Sequence, residues 1–211
     1  MIAPPERDAA IQAMLTHVPF DGWTSRALAM GLAEIGAPAD EAELLFPGGA
    51  VAMVEAFCDL ADRRMSEGAT ALDLAGKGLP TRVRAVIALR LAQHRPHKEA
   101  VRRAVAVLAL PMHARQAAGC MARTVDAICH AAGDRAADFS WYTKRAILAA
   151  VYGATLLYWL QDGRTDAGGE DDAATLGFLD RRLAGIGRVG KLRGRASAAL
   201  RRVTPKLRRP A

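Results

Sequence analysis

The stretch IGAPADEAELLFPGGAVAMVEAF, residues 35–57, decides how the chain is divided. Gly36 and Pro38 stop one helix, because glycine supplies turn conformations that side chains resist and an internal proline breaks a helix. Asp40 to Phe46 then reads as a short helix closed by Pro47. A long helix opens at about Gly49 and runs to Ser66, with Val51, Val54, Phe57, Cys58 and Leu60 turned inward at helical spacing.

The same punctuation extends in both directions. Upstream, a first helix opens at Pro4 and Pro5 and runs through Ile11, Met14, Leu15 and Val18 to Pro19, and Thr24 caps a second. Downstream, EGATALDLAGKGLP (67–80) is the best hinge. Thr81 caps a fifth helix that Pro96 ends. A sixth carries Val101, Val105, Leu108 and Leu110 up to Pro111, and a seventh spans about Met112 to Ala132 before Gly133. Asp138 caps an eighth reaching Leu160, and a ninth starts near Ala173. With 51% hydrophobic residues rich in Ala and Leu, and only 5% aromatics, the composition favours helix throughout. The expected architecture is all-α: an N-terminal subdomain over 1–66, a linker at 67–80, a helical binding domain over 81–190 and a tail at 191–211.

Charge is unevenly placed. Of 29 basic residues, eleven fall after Asp180, the last acid, leaving 18 against 22 acids in the body. From Lys191 to Arg209, Leu192, Ala196, Leu200, Val203 and Leu207 recur at steps of three and four between cations, giving a basic amphipathic helix weakened by Gly194 and kinked or ended at Pro205. Lys191, Leu192, Arg193, Arg195, Leu200, Arg201, Arg202 and Val203 are the expected contacts with an anionic membrane. Cys58, Cys120 and Cys129 form no metal or disulfide pattern and suit a reducing compartment. Neither a signal nor a transit segment is expected. The longest apolar run, Ala146 to Leu160, is about fifteen residues, short of the roughly twenty a span requires. The resulting expectation is a cytoplasmic chain of bacterial type, peripheral on the inner membrane.

The segment DFSWYTKRAILAAVYGATLLYWL (138–160) carries the most specific chemistry. At about 100° per residue, Phe139, Tyr142, Ala146, Ala150, Gly153, Leu157 and Leu160 share a stripe of mostly small residues that a neighbouring helix can approach closely. The other side, with Trp141, Arg145, Leu148, Tyr152 and Trp159, is too apolar to meet only water. In the first turn Trp141 and Tyr142 stand beside Lys144 and Arg145, residue types enriched in binding hot spots.

Two resemblances follow from these stretches. Residues 35–57, with the helices around them, resemble the helix-turn-helix head of TetR-type regulators, with Gly36 at the turn, Asp40 to Leu45 on the reading helix and Phe46 closing the motif. Asp40, Glu41 and Glu43 would face a polyanion there, and residues 1–50 hold only Arg7 and Arg26 against seven acids. DNA reading by this head is therefore not expected.

DFSWYTKRAILAAVYGATLLYWLQD and TLGFLDRRL (175–183), together with HVPFDGWT (17–24) and ELLFPGG (43–49), resemble the Coq-nine family of ubiquinone (coenzyme Q) biosynthesis proteins over about residues 5–190. The resemblance implies a TetR-like, usually dimeric fold whose cavity holds an isoprenoid quinone precursor or phospholipid. It also implies a patch engaging a ubiquinone-pathway hydroxylase and a C-terminal amphipathic helix touching membrane. By position, Trp141, Tyr142 and Arg145 carry the patch, with Lys144 adjacent and Ile128 on the preceding helix. Gly133 and Ala136 depart from the family pattern, which favours larger apolar residues there. The cavity is expected to be lined by Leu148, Tyr152, Leu156 and Trp159.

Catalytic readings lack support. His17, His94, His97, His113 and His130 fall in no nucleophile–base arrangement. His94 and His97 flank Pro96 and read as a polar turn. Glu170, Asp171 and Asp172 read as a loop feeding a helix N-terminus. No cofactor is expected. The reading is a non-catalytic, lipid-binding accessory protein, with a TetR-like ligand-sensing regulator as the alternative.

Overall fold

In the computed structural model, residues 4–38, 41–134, 141–162 and 172–185 are described. The helices are α1 (Pro4–Met14), α2 (Val18–Asp21), α3 (Ser25–Glu34), α4 (Ala42–Leu45), α5 (Gly49–Ala69), α6 (Leu79–His94), α7 (Lys98–Leu108), α8 (Ala114–Ala131) and α9 (Trp141–Gln161). A further helix, α10, covers residues 173–185, and no strand occurs among the described residues.

Several boundaries follow the local signals. The Thr24 hydroxyl accepts the Ala27 N–H at 3.2 Å and caps α3. Gly36 turns the chain out of α3 with φ 72°, a left-handed value that costs glycine little. Other signals are overridden. Pro19 does not end α1: the chain turns after Met14 and Pro19 sits in the first turn of α2, where it loses no hydrogen bond. Likewise α6 starts at Leu79 with Pro80 in its first turn, so Thr81 is not the cap. The linker is correspondingly shorter than expected, since 67–69 complete α5 and 79–80 open α6.

The head is held by a close crossing of α1 and α3. A Cβ on Gly31 would lie 2.6 Å from the Met14 nitrogen and 2.7 Å from the Ala13 carbonyl carbon, so the two backbones touch where a side chain would stand. Trp23 then ties this head to α7, donating Nε1–H to the Ala100 carbonyl at 3.1 Å while its ring tilts against Phe57 at 5.2 Å. Behind it, α5 is the spine, packing on α1, α6, α7 and α8, with α9 laid against α8. One apolar core runs from Ala10 through Met53, Ile87 and Ile128 to Trp159 and Leu179. Helix α10 docks through Leu179, through a Tyr158–Phe178 ring stack at 4.6 Å and through Arg84, which grips Asp180 at 2.5 Å.

Candidate functional site

Helices α5 to α9 surround a cavity of about 280 Å³. Helical spacing explains its lining: Val101, Ala104, Val105 and Leu108 lie on one stripe of α7, and Ala117, Cys120, Met121 and Thr124 on one stripe of α8. Helix α9 supplies Tyr152, Gly153, Leu156 and Leu157, α5 supplies Phe57 and Cys58, and α6 supplies Arg90 and His94. Of the four residues expected to line it, Tyr152 and Leu156 do so. Leu148 and Trp159 are corrected to core residues: Trp159 is wholly buried, its indole N–H donates to Asp172 at 3.1 Å and the Lys98 ammonium lies over its ring.

The cavity is graded along its length. Phe57, Arg90, His94, Val101, Ala104, Thr124 and Tyr152 are buried, whereas Val105, Leu108, Met121 and Leu156 are half-buried and Leu157 is exposed. The inner end is therefore closed and polar, and the outer end open and apolar.

Arg90 organises the inner end. Its Nε donates to the Tyr152 hydroxyl at 2.9 Å. Its Nη1 lies 2.7 Å from Asp62 Oδ1 but off the hydrogen-bonding direction, so neither atom has an aligned partner. Thr124 donates to the other Asp62 oxygen at 3.2 Å. Burial pushes the Asp62 carboxyl above its usual range while Arg90 and Thr124 pull it back. Burial works against the Arg90 charge, yet Tyr152 and Asp62 hold its pKa raised. Burial, and then the Arg90 charge, drive His94 well below the usual imidazole value. A hydrogen bond with Cys120, followed by burial, raises the Cys58 thiol; the same bond, helped by Arg123, lowers that of Cys120. Arg90, Asp62 and Thr124 were missed in the sequence because they sit on three helices with no local motif. The available signal was Arg90 and His94 on the otherwise apolar α6 stripe of Val83, Val86, Ile87 and Leu91.

The expected partner patch is assembled in part. Tyr142 is 78% exposed and Lys144 is exposed, while Arg145 is half-buried against α8, donating Nη2–H to Asp126 at 2.6 Å. The side chain of Trp141 lies outside the described set. Ile128 is a correction, since it is fully buried on the inward face of α8 and offers no surface. The membrane contacts expected at Lys191, Leu192, Arg193, Arg195, Leu200, Arg201, Arg202 and Val203 also lie outside the described residues. Of the stripe expected to meet a neighbouring helix, Tyr142, Ala146, Ala150 and Leu157 are exposed within this chain, Gly153 is half-buried and Leu160 is buried, while Phe139 lies outside the described residues.

In the head, α4 is a single turn that exposes Glu41, Glu43 and Leu44 and buries Phe46 beneath the Arg7 guanidinium at 4.6 Å. Among the described residues no group of His, Cys, Asp or Glu could hold a metal, and no helix is long and apolar enough to cross a membrane.

A helix-turn-helix head, a spine helix and a chamber beneath it, closed at its inner end, define a protein of the TetR-like structural class. The solved TetR transcriptional regulator from Nitrosomonas europaea shares this fold with a TM-score of 0.64 and 22% identity, over 85% of this chain and 97% of that one. Within that class, residues 114–190 match the COQ9 family. The mitochondrial ubiquinone biosynthesis protein COQ9 of Drosophila melanogaster is 37% identical over 161 residues, covering 74% of this chain and 49% of that protein. The human COQ9 is 31% identical over 179 residues, covering 82% and 55%. The chain is thus similar to the COQ9 family, and it spans about half the length of these curated relatives.

Proposed function

We propose that this chain acts in ubiquinone biosynthesis as a non-catalytic accessory protein, which shelters part of an isoprenoid quinone precursor and hands it to a partner hydroxylase at a membrane surface. The observation that carries this reading is the apolar cavity of about 280 Å³, walled by the same helix α9 whose first turns expose Tyr142 and Lys144, in a chain whose relatives are named ubiquinone biosynthesis proteins. Each CH₂ moved from bilayer to water costs about 0.8 kcal/mol, so a precursor leaves the membrane only into an apolar host. At roughly 30 Å³ per water-sized group, the cavity takes about nine such groups. A ring with the first part of its tail fits, and the remainder stays outside.

In this reading Tyr142, Lys144 and Arg145, with Trp141, dock the hydroxylase. The basic tail adds roughly 1 kcal/mol per cation near an anionic surface. The exposed small-residue stripe of α9 accepts a second copy of the chain. Glu41 and Glu43 on the α4 turn oppose a polyanion, which disfavours the regulator alternative.

Organic extraction of the purified protein, followed by mass spectrometry, is the test. A co-purified quinone-like or phospholipid species is expected. An empty cavity together with sequence-selective duplex binding would sink the reading. For the docking face, Tyr142→Ala combined with Arg145→Glu is expected to cause precursor build-up in cells lacking the native protein, and full complementation would remove the assignment.

A further inference from the structure

The three thiols of the chain are not equivalent. Cys129 is buried on α8 and lies outside the cavity wall. Cys58, half-buried on α5, and Cys120, buried on α8, both line the cavity and share a hydrogen bond. One turn further along both helices, Thr124 donates to Asp62 at 3.2 Å, a polar tie that fixes the register of α5 against α8 beside the sulfur pair.

The pair is chemically polarised. The hydrogen bond from Cys58 lowers the Cys120 thiol; burial opposes this, Arg123 assists it, and Glu55 and Asp62 oppose it. Arg123, from the exposed side of α8, donates Nη2–H to Cys120 Sγ at 3.3 Å. The same sulfur–sulfur bond, burial, the Cys120 charge and Asp62 raise the Cys58 thiol, against Arg90. The shared proton therefore sits on Cys58, and Cys120 ionises first. A thiolate attacks where a thiol does not, which makes Cys120 the nucleophile and Cys58 its resolving partner. Cys120 is 3% exposed and is reached through the cavity, whose outer end is lined by Val105, Leu108, Leu156 and Leu157. An oxidant that arrives there has to be small and apolar.

We propose that Cys58 and Cys120 form a reversible oxidation site for apolar hydroperoxides that enter the cavity. The Cys120 thiolate attacks the terminal peroxide oxygen, so that an S–O bond forms and the O–O bond breaks. Cys120 becomes a sulfenic acid, and the leaving alkoxide takes up the proton that Cys120 had released and departs as the alcohol. The Cys58 sulfur then attacks the Cys120 sulfur; the S–S bond forms, the S–O bond breaks, and the departing hydroxide leaves as water with the Cys58 proton. Two thiols thus give two electrons and two protons to one hydroperoxide. A low-molecular-weight thiol reverses the step by exchange, as suits a compartment where disulfides are transient. The disulfide would tie α5 to α8 in the cavity wall. The site requires only that the cavity admit a small apolar molecule, and it stands apart from the lipid reading.

The test treats the full chain with equimolar cumene hydroperoxide at neutral pH, blocks remaining thiols with N-ethylmaleimide and maps the unreduced peptides by mass spectrometry. A Cys58–Cys120 linked peptide is expected, with Cys129 alkylated and both thiols recovered by dithiothreitol. Cys58→Ala should stop at a sulfenic acid on Cys120 that dimedone traps, and Cys120→Ala should leave Cys58 and Cys129 as thiols. Arg123→Gln should slow the reaction about threefold: a roughly tenfold smaller thiolate fraction is partly offset by the greater nucleophilicity of a more basic thiolate. Oxidation of Cys129 as fast as Cys120, or disulfides only between chains, would overturn the site. A rate no greater than that of hydrogen peroxide at equal concentration would overturn its apolar selectivity. Should the cysteine variants fail to fold, the peptide map of the unaltered chain decides alone.

Discussion

The two halves of α9 are built from similar residues and live in different environments. From Tyr142 to Ala150 most side chains face solvent, with Tyr142 at 78% and Ile147 at 36% exposure. From Val151 to Leu160 one face of the helix is core, with Val151, Tyr152, Thr155, Trp159 and Leu160 buried, while Leu156 and Leu157 line the mouth of the cavity. The C-terminal end is also pinned through its backbone: Arg102 donates to the Leu160 carbonyl at 2.7 Å and Lys98 to the Asp162 carbonyl at 2.7 Å, satisfying acceptors that every helix end leaves open. The lesson is that apolar composition marks a helix for burial without saying against what. Helices α7, α8 and α10 cover one half within this chain, and the other half leaves Tyr142 and Ile147 at the surface.

That contrast can be broken most forcefully at Trp159. Trp159→Ala removes a fully buried indole and takes the donor from Asp172 Oδ1, leaving Arg95 on the other oxygen, and a loss of about 3–5 kcal/mol is expected in urea unfolding. A loss under about 1 kcal/mol would mean the C-terminal half is not core.

Tyr152→Phe deletes only the hydroxyl that Arg90 reaches. It should cost about 1–3 kcal/mol by the same measurement, because the guanidinium stays buried without that acceptor.

Acid should act on the same half. His94 packs against Phe57 at 5.5 Å, and burial, then Arg90, depress its pKa from the usual 6.5. The fold therefore refuses a proton that the unfolded chain takes up, so the contribution is complete above about pH 6.5 and is lost as pH falls toward the folded pKa. The urea midpoint of wild type should drop between about pH 7.5 and about pH 5.5, and His94→Gln should flatten that drop. Half-buried His97, lowered by burial and then by Arg64, acts in the same direction.

Changes in the N-terminal half should be smaller. Arg145→Ala gives up a pairing with Asp126, whose side chain is 59% exposed, and about 0.2–1 kcal/mol is the expected cost. Tyr142→Ala should move stability by less than about 0.5 kcal/mol. A larger effect at Tyr142 would show that this half is structural too.

Much of this was legible beforehand, for identifiable reasons. Thr24 as a cap, Gly36 as a turn and the segmentation by proline rest on local backbone chemistry, which a sequence carries directly. Pro19 and Pro80 were misjudged because proline suits a first turn as well as it stops a last one, and only the packed chain decides between them. On α9 the 100° periodicity identified the inward face, but Tyr152 and Trp159 share that face while one meets a void and the other solid core. Ile128 was placed on the surface by family position, whereas its own helical register with Thr124 and Val125 points inward. The Arg90–Asp62–Tyr152 cluster joins residues as far as 90 positions apart in sequence, so no local pattern announces it.

Gly31 carries a consequence for how such a chain can change. With backbone atoms of α1 filling the place of its side chain, the joint between α1 and α3 is set by one position that tolerates no atom beyond hydrogen. The acids on the α4 turn, facing solvent, are under no such restriction. The geometry of the head and the use of the head are thus encoded by different residues, and the second can be rewritten while the first is inherited intact.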